Sequence, residues 1–435
     1  MNRILTAILL LNSMNSIAQD STTKIPFEGM DISWINGQNR QKDLPLIMKD
    51  KAGNTILTGV AYLDTYFNYN FANPQDNTQT ISSTMGRTNE FTLNLASIGI
   101  ETNYKNIIGR LWVQYGQMGS IIQELDGTTA RGKNTSVSNL KYIREAAAGY
   151  HFNKWYGVNI EMGIFMSYIG LESYVTQENW SYQRSMVCDF TPFYFSGARL
   201  QIFPSKKFKT ELWLLNGWQT YNSWNNGIGI GSSNYFRPNE NLQLVANFYY
   251  GKDTRNSNRI RFHHDNSIVK RYFNKPIQTG ISQAAFSINS HYGFQSGGGV
   301  KPKDHYMAGT SIANRIWFYK NKLALTLRGD IITNPGLYLA FSPSPVAAND
   351  FTDAIANDPK QKLNIFQFTS TFDIMPNDMV TFRFEYGYRK SNVPYFAGRG
   401  GTTSPDGWID TPINNWRPDL KKTENRLTIA MNFRL

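Results

Sequence analysis

The 435-residue chain has a single cysteine, Cys188. An internal disulfide is thereby excluded, as is any metal or redox motif built on cysteine, and Cys188 reads as a spare residue on a strand. Past the first eighteen residues, no apolar run approaches the ~20 residues that a membrane-spanning helix requires. Histidine is scarce: the five are His151, His263, His264, His291 and His305. Adjacent strand residues point to opposite faces, so in His263-His264-Asp265 one imidazole is misdirected for shared metal ligation or a triad. Gly227 to Gly231 and Gly297-Gly298-Gly299 lack the Lys-Ser/Thr pair and helix of a phosphate loop. No cofactor and no metal are expected. Mean hydropathy is −0.43, a value that suggests a soluble protein if periodicity is ignored.

Periodicity reverses that impression. Leu427, Ile429, Met431, Phe433 and Leu435 alternate with Arg426, Thr428, Ala430, Asn432 and Arg434. Such a strand has one oily face and one wet face. Val380, Phe382, Phe384, Tyr386 and Tyr388 alternate in the same way with Thr381, Arg383, Glu385, Gly387 and Arg389. Before them stands the turn Pro376-Asn377-Asp378, in which Pro fixes φ and Asn and Asp bond their own backbone. Short turns of this kind recur at Asn103 to Asn106, Asn153-Lys154, Pro204 to Lys207, Pro238 to Glu240, Lys275-Pro276 and Lys320 to Lys322.

Connecting them predicts about sixteen strands: 55–71, 88–102, 107–118, 139–152, 156–168, 187–203, 208–219, 226–237, 241–251, 266–274, 280–290, 305–318, 322–333, 362–375, 379–390 and 424–435. The stretches near 226 and 266 are the weakest, which leaves fourteen or eighteen open. Long connections fall at 72–87, 119–138, 169–186, 334–361 and 391–423. Short turns on one side and long loops on the other are the pattern of an all-β, antiparallel transmembrane β-barrel. Aromatic residues, 14% of the chain, suit interfacial girdles. A secreted β-sandwich would have shorter strands and a core richer in Val and Ile.

Residues Met1 to Ala18 read as a signal peptide, with Arg3, the apolar run Ile4 to Leu11, and Ser16-Ile17-Ala18 before a cleavage point. Residues 19–54 lack sustained alternation and form a pre-barrel segment, placed in the periplasm or tucked into the lumen; 55–435 form the barrel. An even strand number puts both ends in the periplasm. The closing strand, 424–435, is the expected recognition element for barrel-assembly machinery. Formal charge is +12. Lys252, Arg255, Arg259, Arg261, Lys270, Arg271 and Lys275 concentrate in one stretch, against only Asp253 and Asp265. Lys252, Arg255, Arg259, Arg261, His263 and His264 are read as a basic extracellular loop, facing lipopolysaccharide phosphates or simply solvated. Nucleic acid is not an expected partner of an exported barrel.

On this alternation the inward face includes Arg110, Gln114, Glu145, Glu161, Arg199, Lys209, Glu211, Arg328, Asp330, Gln367, Asp373, Arg383, Glu385, Arg389 and Arg426. Arg or Lys facing mid-bilayer costs about 2–4 kcal/mol, so these residues line water. The near balance of bases and acids argues for weak charge preference. Pairing across strands, which would stiffen the wall, is equally compatible. Segment 169–192, dense in aromatic and charged residues and ending at Pro192, is a candidate constriction loop carrying Glu172, Trp180, Tyr182 and Arg184.

Several clusters resemble one family. Gly170-Leu171-Glu172-Ser173, Asn179-Trp180-Ser181-Tyr182-Gln183-Arg184-Ser185, Pro192-Phe193-Tyr194 with Gly197-Ala198-Arg199-Leu200, and Asn216-Gly217-Trp218-Gln219 look like the central signature of the OmpL-like β-barrel porins of diderm bacteria. Tyr62 to Phe71, Glu90 to Asn94, Arg144-Glu145-Ala146 and Leu327-Arg328-Gly329-Asp330 also look like family positions. Gly329 departs from the commoner form, which is acidic there, so pore charge cannot be copied from relatives. The resemblance implies an outer-membrane pore, with the solute left open. The expected function is passive diffusion of small hydrophilic solutes in the outer membrane, without enzymatic activity. The alternative is a closed or plugged barrel that acts as an adhesin or structural partner through its loops, and a hydrolase is third. Whether three copies assemble as a homotrimer is not legible.

Overall fold

The computed structural model describes residues 27, 30–35, 46–79, 82–124, 126, 128, 140–256, 258–339, 363–408 and 416–435. The expected leader, Met1 to Ala18, and much of 19–45 lie outside them, as do parts of the loops expected at 119–138, 334–361 and 391–423.

Sixteen strands build the barrel among the described residues: β1 (Thr55–Asn70), β2 (Phe91–Tyr104), β3 (Ile107–Tyr115), β4 (Ile143–Phe152), β5 (Val158–Met166), β6 (Tyr194–Ser205), β7 (Phe208–Leu215), β8 (Gly229–Asn239), β9 (Leu242–Gly251), β10 (Ile260–Asn274), β11 (Ile281–Ser296), β12 (Tyr306–Phe318), β13 (Leu323–Thr333), β14 (Asn364–Ile374), β15 (Val380–Ser391) and β16 (Thr423–Arg434). Each pairs antiparallel with the next. Closure comes from β16 on β1, in register from Arg426 opposite Asn70 to Arg434 opposite Tyr62. No edge is left for lipid to meet, which is the condition for a sheet to span a bilayer. A short strand, Ile47–Lys49, folds back on the start of β1.

Alternation sorts the two faces as the sequence demands. Ile429 is 52% exposed on the outside, whereas Arg426, three residues earlier on the same strand, is fully buried on the inside. The turns obey backbone sterics. Between β2 and β3, Lys105 and Asn106 have φ of 50° and 68°. Positive φ at both centres is the turn whose twist matches a two-residue hairpin.

Three expectations need correction. Strand β10 begins at Ile260, not 266, so Arg261, His263 and His264 belong to the wall and not to a basic outer loop; only Lys252, Arg255 and Arg259 of that group remain in the loop. The oily outward row of β10 is broken by His264 and Asn266, which hid the strand from a period-two reading. Likewise β6 begins at Tyr194 and not at 187, which leaves Pro192 just before the strand and Cys188 in a loop. Finally, β3 ends at Tyr115, and the chain continues as helix α1 (Gln117–Glu124).

Because Ile429 faces outward midway along the closing strand, Ile429→Arg should destabilise the barrel by about 2–4 kcal/mol. Equilibrium urea unfolding from lipid vesicles reads this out, with Ile429→Ala as the uncharged comparison at the same outward position.

Candidate functional site

The lumen is occupied. Residues 167–193, the connection from β5 to β6, run inward, and their side chains from Tyr182 to Asp189 are buried. Their backbone is irregular, so its polar groups need partners that lipid cannot supply. Wall arginines supply them. Arg383 donates to the carbonyls of Thr176 (2.7 Å) and Asn179 (2.5 Å). Arg315 donates to the Trp180 carbonyl at 3.1 Å, and Arg328 to the Gln183 carbonyl at 2.7 Å. In the opposite sense, the Glu385 carboxylate accepts the backbone N–H groups of Tyr182 (2.7 Å) and Gln183 (3.1 Å).

Carboxylates balance these guanidiniums. Asp373 lies 2.6 Å from Arg315 and 2.8 Å from Arg383, with all three side chains buried. Arg328 pairs with Glu172 of the loop (2.9 Å) and with Asp330 (3.2 Å). Glu161 holds both Arg110 and Arg199, and Lys209 pairs with Glu211 at 3.0 Å. Gln367 accepts from Arg389 at 2.8 Å, and Arg426 approaches Glu424 at 3.3 Å. Gln114 accepts the Tyr174 hydroxyl at 2.7 Å, and Glu145 the Met166 N–H at 2.9 Å. All fifteen residues read as inward from the sequence thus turn to the inside, most of them already paired.

The four loop residues singled out are also fixed. Trp180 packs edge-on against Trp317 at 5.8 Å and donates its indole N–H to the Trp34 carbonyl at 3.1 Å. Trp34, in turn, donates to the Glu240 carbonyl at 2.9 Å, so this part of the pre-barrel segment sits inside the short-turn end. Tyr182 donates to Asp64 at 2.9 Å, and Glu172 accepts the Ser185 N–H at 2.5 Å. Arg184 donates to Ser83 at 2.6 Å and lies over the Phe193 ring. At the long-loop end an apolar cluster of Met186, Val187, Met307, Tyr338, Tyr395 and Phe396 closes over the loop. Burial pushes the Cys188 thiol up to about 12, so it stays neutral and unreactive.

The residues expected in a basic loop part company. Lys252, through its carbonyl, holds Asn225, Arg255 lies over Trp224, and Arg259 approaches the Gly298 carbonyl. Arg261 pairs with Asp253 inside at 2.8 Å. His263 is fully buried, bonded to the Tyr338 hydroxyl and to His291, each at 3.0 Å, while His264 faces out beside Asn266.

A polar cavity of about 350 Å³ remains between this loop and the β1–β5 wall, lined by Glu101, Trp112, Arg144, Glu145, Glu172 and Arg434 among others. Sequence alternation missed Arg144, which should face away if Glu145 faces in. A bulge explains it: Trp112 pairs with Glu145 and Val113 with Ile143, leaving Arg144 as the extra residue. Both side chains then turn inward, and the Arg144 guanidinium lies 3.8 Å over the Trp112 ring. Asp64 and Arg315 were also missed, and nothing in the sequence around them signals their loop partners.

The profile of the family described as "Putative beta-barrel porin-2, OmpL-like" matches residues 57–435. The chain belongs to that OmpL-like porin family. Among curated proteins no sequence matches it. Solved structures show the same fold at low identity. An anion-selective porin from Comamonas acidovorans is 7% identical with a TM-score of 0.54, over 87% of this chain and 99% of that one. OprB of Pseudomonas putida, in its high-pH structure, is 7% identical at 0.51, over 87% and 94%. The outer-membrane channel DcaP of Acinetobacter baumannii is 10% identical at 0.50, over 90% and 100%. This OmpL-like porin is an outer-membrane β-barrel, and its lumen is traversed by its own chain.

Removing the Asp373 charge strips two buried guanidiniums, Arg315 and Arg383, of their shared carboxylate at once. Asp373→Asn should therefore cost about 3–5 kcal/mol, the penalty for stripping a buried ion pair of one partner. Denaturant midpoints of the refolded protein measure it, and protease cleavage within 171–185 should rise in parallel.

Proposed function

We propose that the protein passes small hydrophilic solutes across the outer membrane by passive diffusion, through the gap between the inward loop and the β1–β5 wall. The observation carrying this reading is the polar cavity bordered by Glu101, Arg144, Glu145 and Arg434 inside a closed barrel. Water and polar solutes fit such a lining, and the constriction sets the size limit. Compensated pairs along the wall favour weak ion preference, so the anion selectivity named for the Comamonas porin is not carried over. The reading includes export on a cleaved Met1–Ala18 leader, short turns in the periplasm, the apolar outer band in lipid with lipopolysaccharide at the loop end, and assembly through β16.

A second reading is favoured by the apolar cluster at the long-loop end: a closed barrel that works through its outer loops. Planar-bilayer recording separates the two. The folded protein should give discrete conductance steps, with small sugars entering liposomes in order of size. Deleting 171–190 should raise conductance severalfold. Unchanged conductance would remove the loop from the path, and silence from correctly folded protein favours the closed barrel.

A further inference from the structure

The lining of the 350 Å³ cavity is not evenly satisfied. Glu172 is engaged by Arg328 and Glu178 by Arg434, at 2.9 and 3.2 Å. Arg184 is held by Ser83 and stands 3.8 Å from Asp189. Arg144 differs. Its side chain is largely enclosed, the residue being only 8% exposed, yet among the described residues it makes no ion pair and no hydrogen bond, and its Nε has no partner. It rests flat on Trp112, which fixes the plane of its fork. Next to it, Glu145 uses one oxygen to accept the Met166 N–H, and its other oxygen has no partner among the described residues. The bulge that turns both residues inward thus presents a cation and an anion side by side to one cavity.

Enclosed charged groups whose hydrogen-bonding capacity is only partly filled are costly, and they gain most from a ligand that carries the complementary donors and acceptors. A lone small anion would answer Arg144 but meet Glu145 and Glu101. A lone cation would meet Arg144. We propose that Arg144 and Glu145 form a binding site for a small zwitterion of the amino-acid class. Its carboxylate takes the guanidinium fork bidentately, and its ammonium takes the free Glu145 oxygen. A cavity of about 350 Å³ suits a solute of that size. Trp112, Tyr174 and Phe193 supply apolar walls for a side chain. This inference deepens the channel reading and rests on it for the route by which the solute arrives.

The test uses the full-length protein refolded in detergent and in planar bilayers, with L-alanine as probe. Propionate and ethylamine, each alanine with one charged group removed, are the comparison. Calorimetry and block of KCl current should show saturable alanine binding. Propionate and ethylamine should bind at least about tenfold more weakly, the scale of one charged hydrogen-bonded contact. Arg144→Gln and Glu145→Gln, each checked for heat-modifiable migration and KCl conductance, should each lose about tenfold. If a variant does not fold, the three-ligand comparison on the unsubstituted protein decides. Equal binding of propionate and alanine, or folded variants that bind alanine normally, overturns the site. KCl conductance without alanine saturation sinks the site and spares the channel. Alanine saturation without conductance supports the site and sinks the channel.

Discussion

The guanidinium groups of Arg315, Arg328 and Arg383, held by the Asp373 and Asp330 carboxylates, grip the inward loop by its carbonyl oxygens. Sixteen strands enclose a space that strand side chains cannot span, so the interior must be water or chain. Here it is largely chain. An irregular segment at membrane depth is tolerable only when its backbone is satisfied from the surrounding protein, and arginine forks on a rigid wall do this without moving. The loop path, the position of the remaining cavity, and the seat of Trp34 all follow from that grip.

Strand positions were readable because lipid and lumen impose opposite chemistries on alternate residues. Leu427 to Leu435 and Val380 to Tyr388 show this plainly, and all sixteen expected strands are present. Reading failed where the rule fails physically. On β10 the outward row carries His264 and Asn266, so the dyad signal disappears although the strand persists. At Arg144 a single extra residue reverses facing, and no propensity marks a bulge in advance. Candidate inward residues were readable one by one, but their partners were not. Arg383 and Thr176 lie far apart in sequence, and no periodicity connects them.

The wall divides into two regimes. Along β12 to β15, acids and bases are matched largely to each other and to the loop, which packs closely against the wall there. Along β2 to β5, the bulge and the cavity leave the Arg144 guanidinium and one Glu145 oxygen without a hydrogen-bond partner among the described residues. Charge placed where it is fully paired stiffens the barrel; charge placed where it is unpaired can act on whatever enters. Under the proposed channel reading, only the second kind discriminates among solutes.

The loop draws its fastenings from Asp64 on the first strand and from Arg383 and Glu385 near the last. Those strands lie at opposite ends of the sequence and come near each other only when β16 joins β1. The complete socket for the loop therefore exists only in the closed sheet: an unfinished one lacks part of it. The Trp34 carbonyl, which receives the Trp180 indole, adds a fastening from the segment ahead of the first strand, so the finished socket draws on the beginning, the middle and the end of the chain.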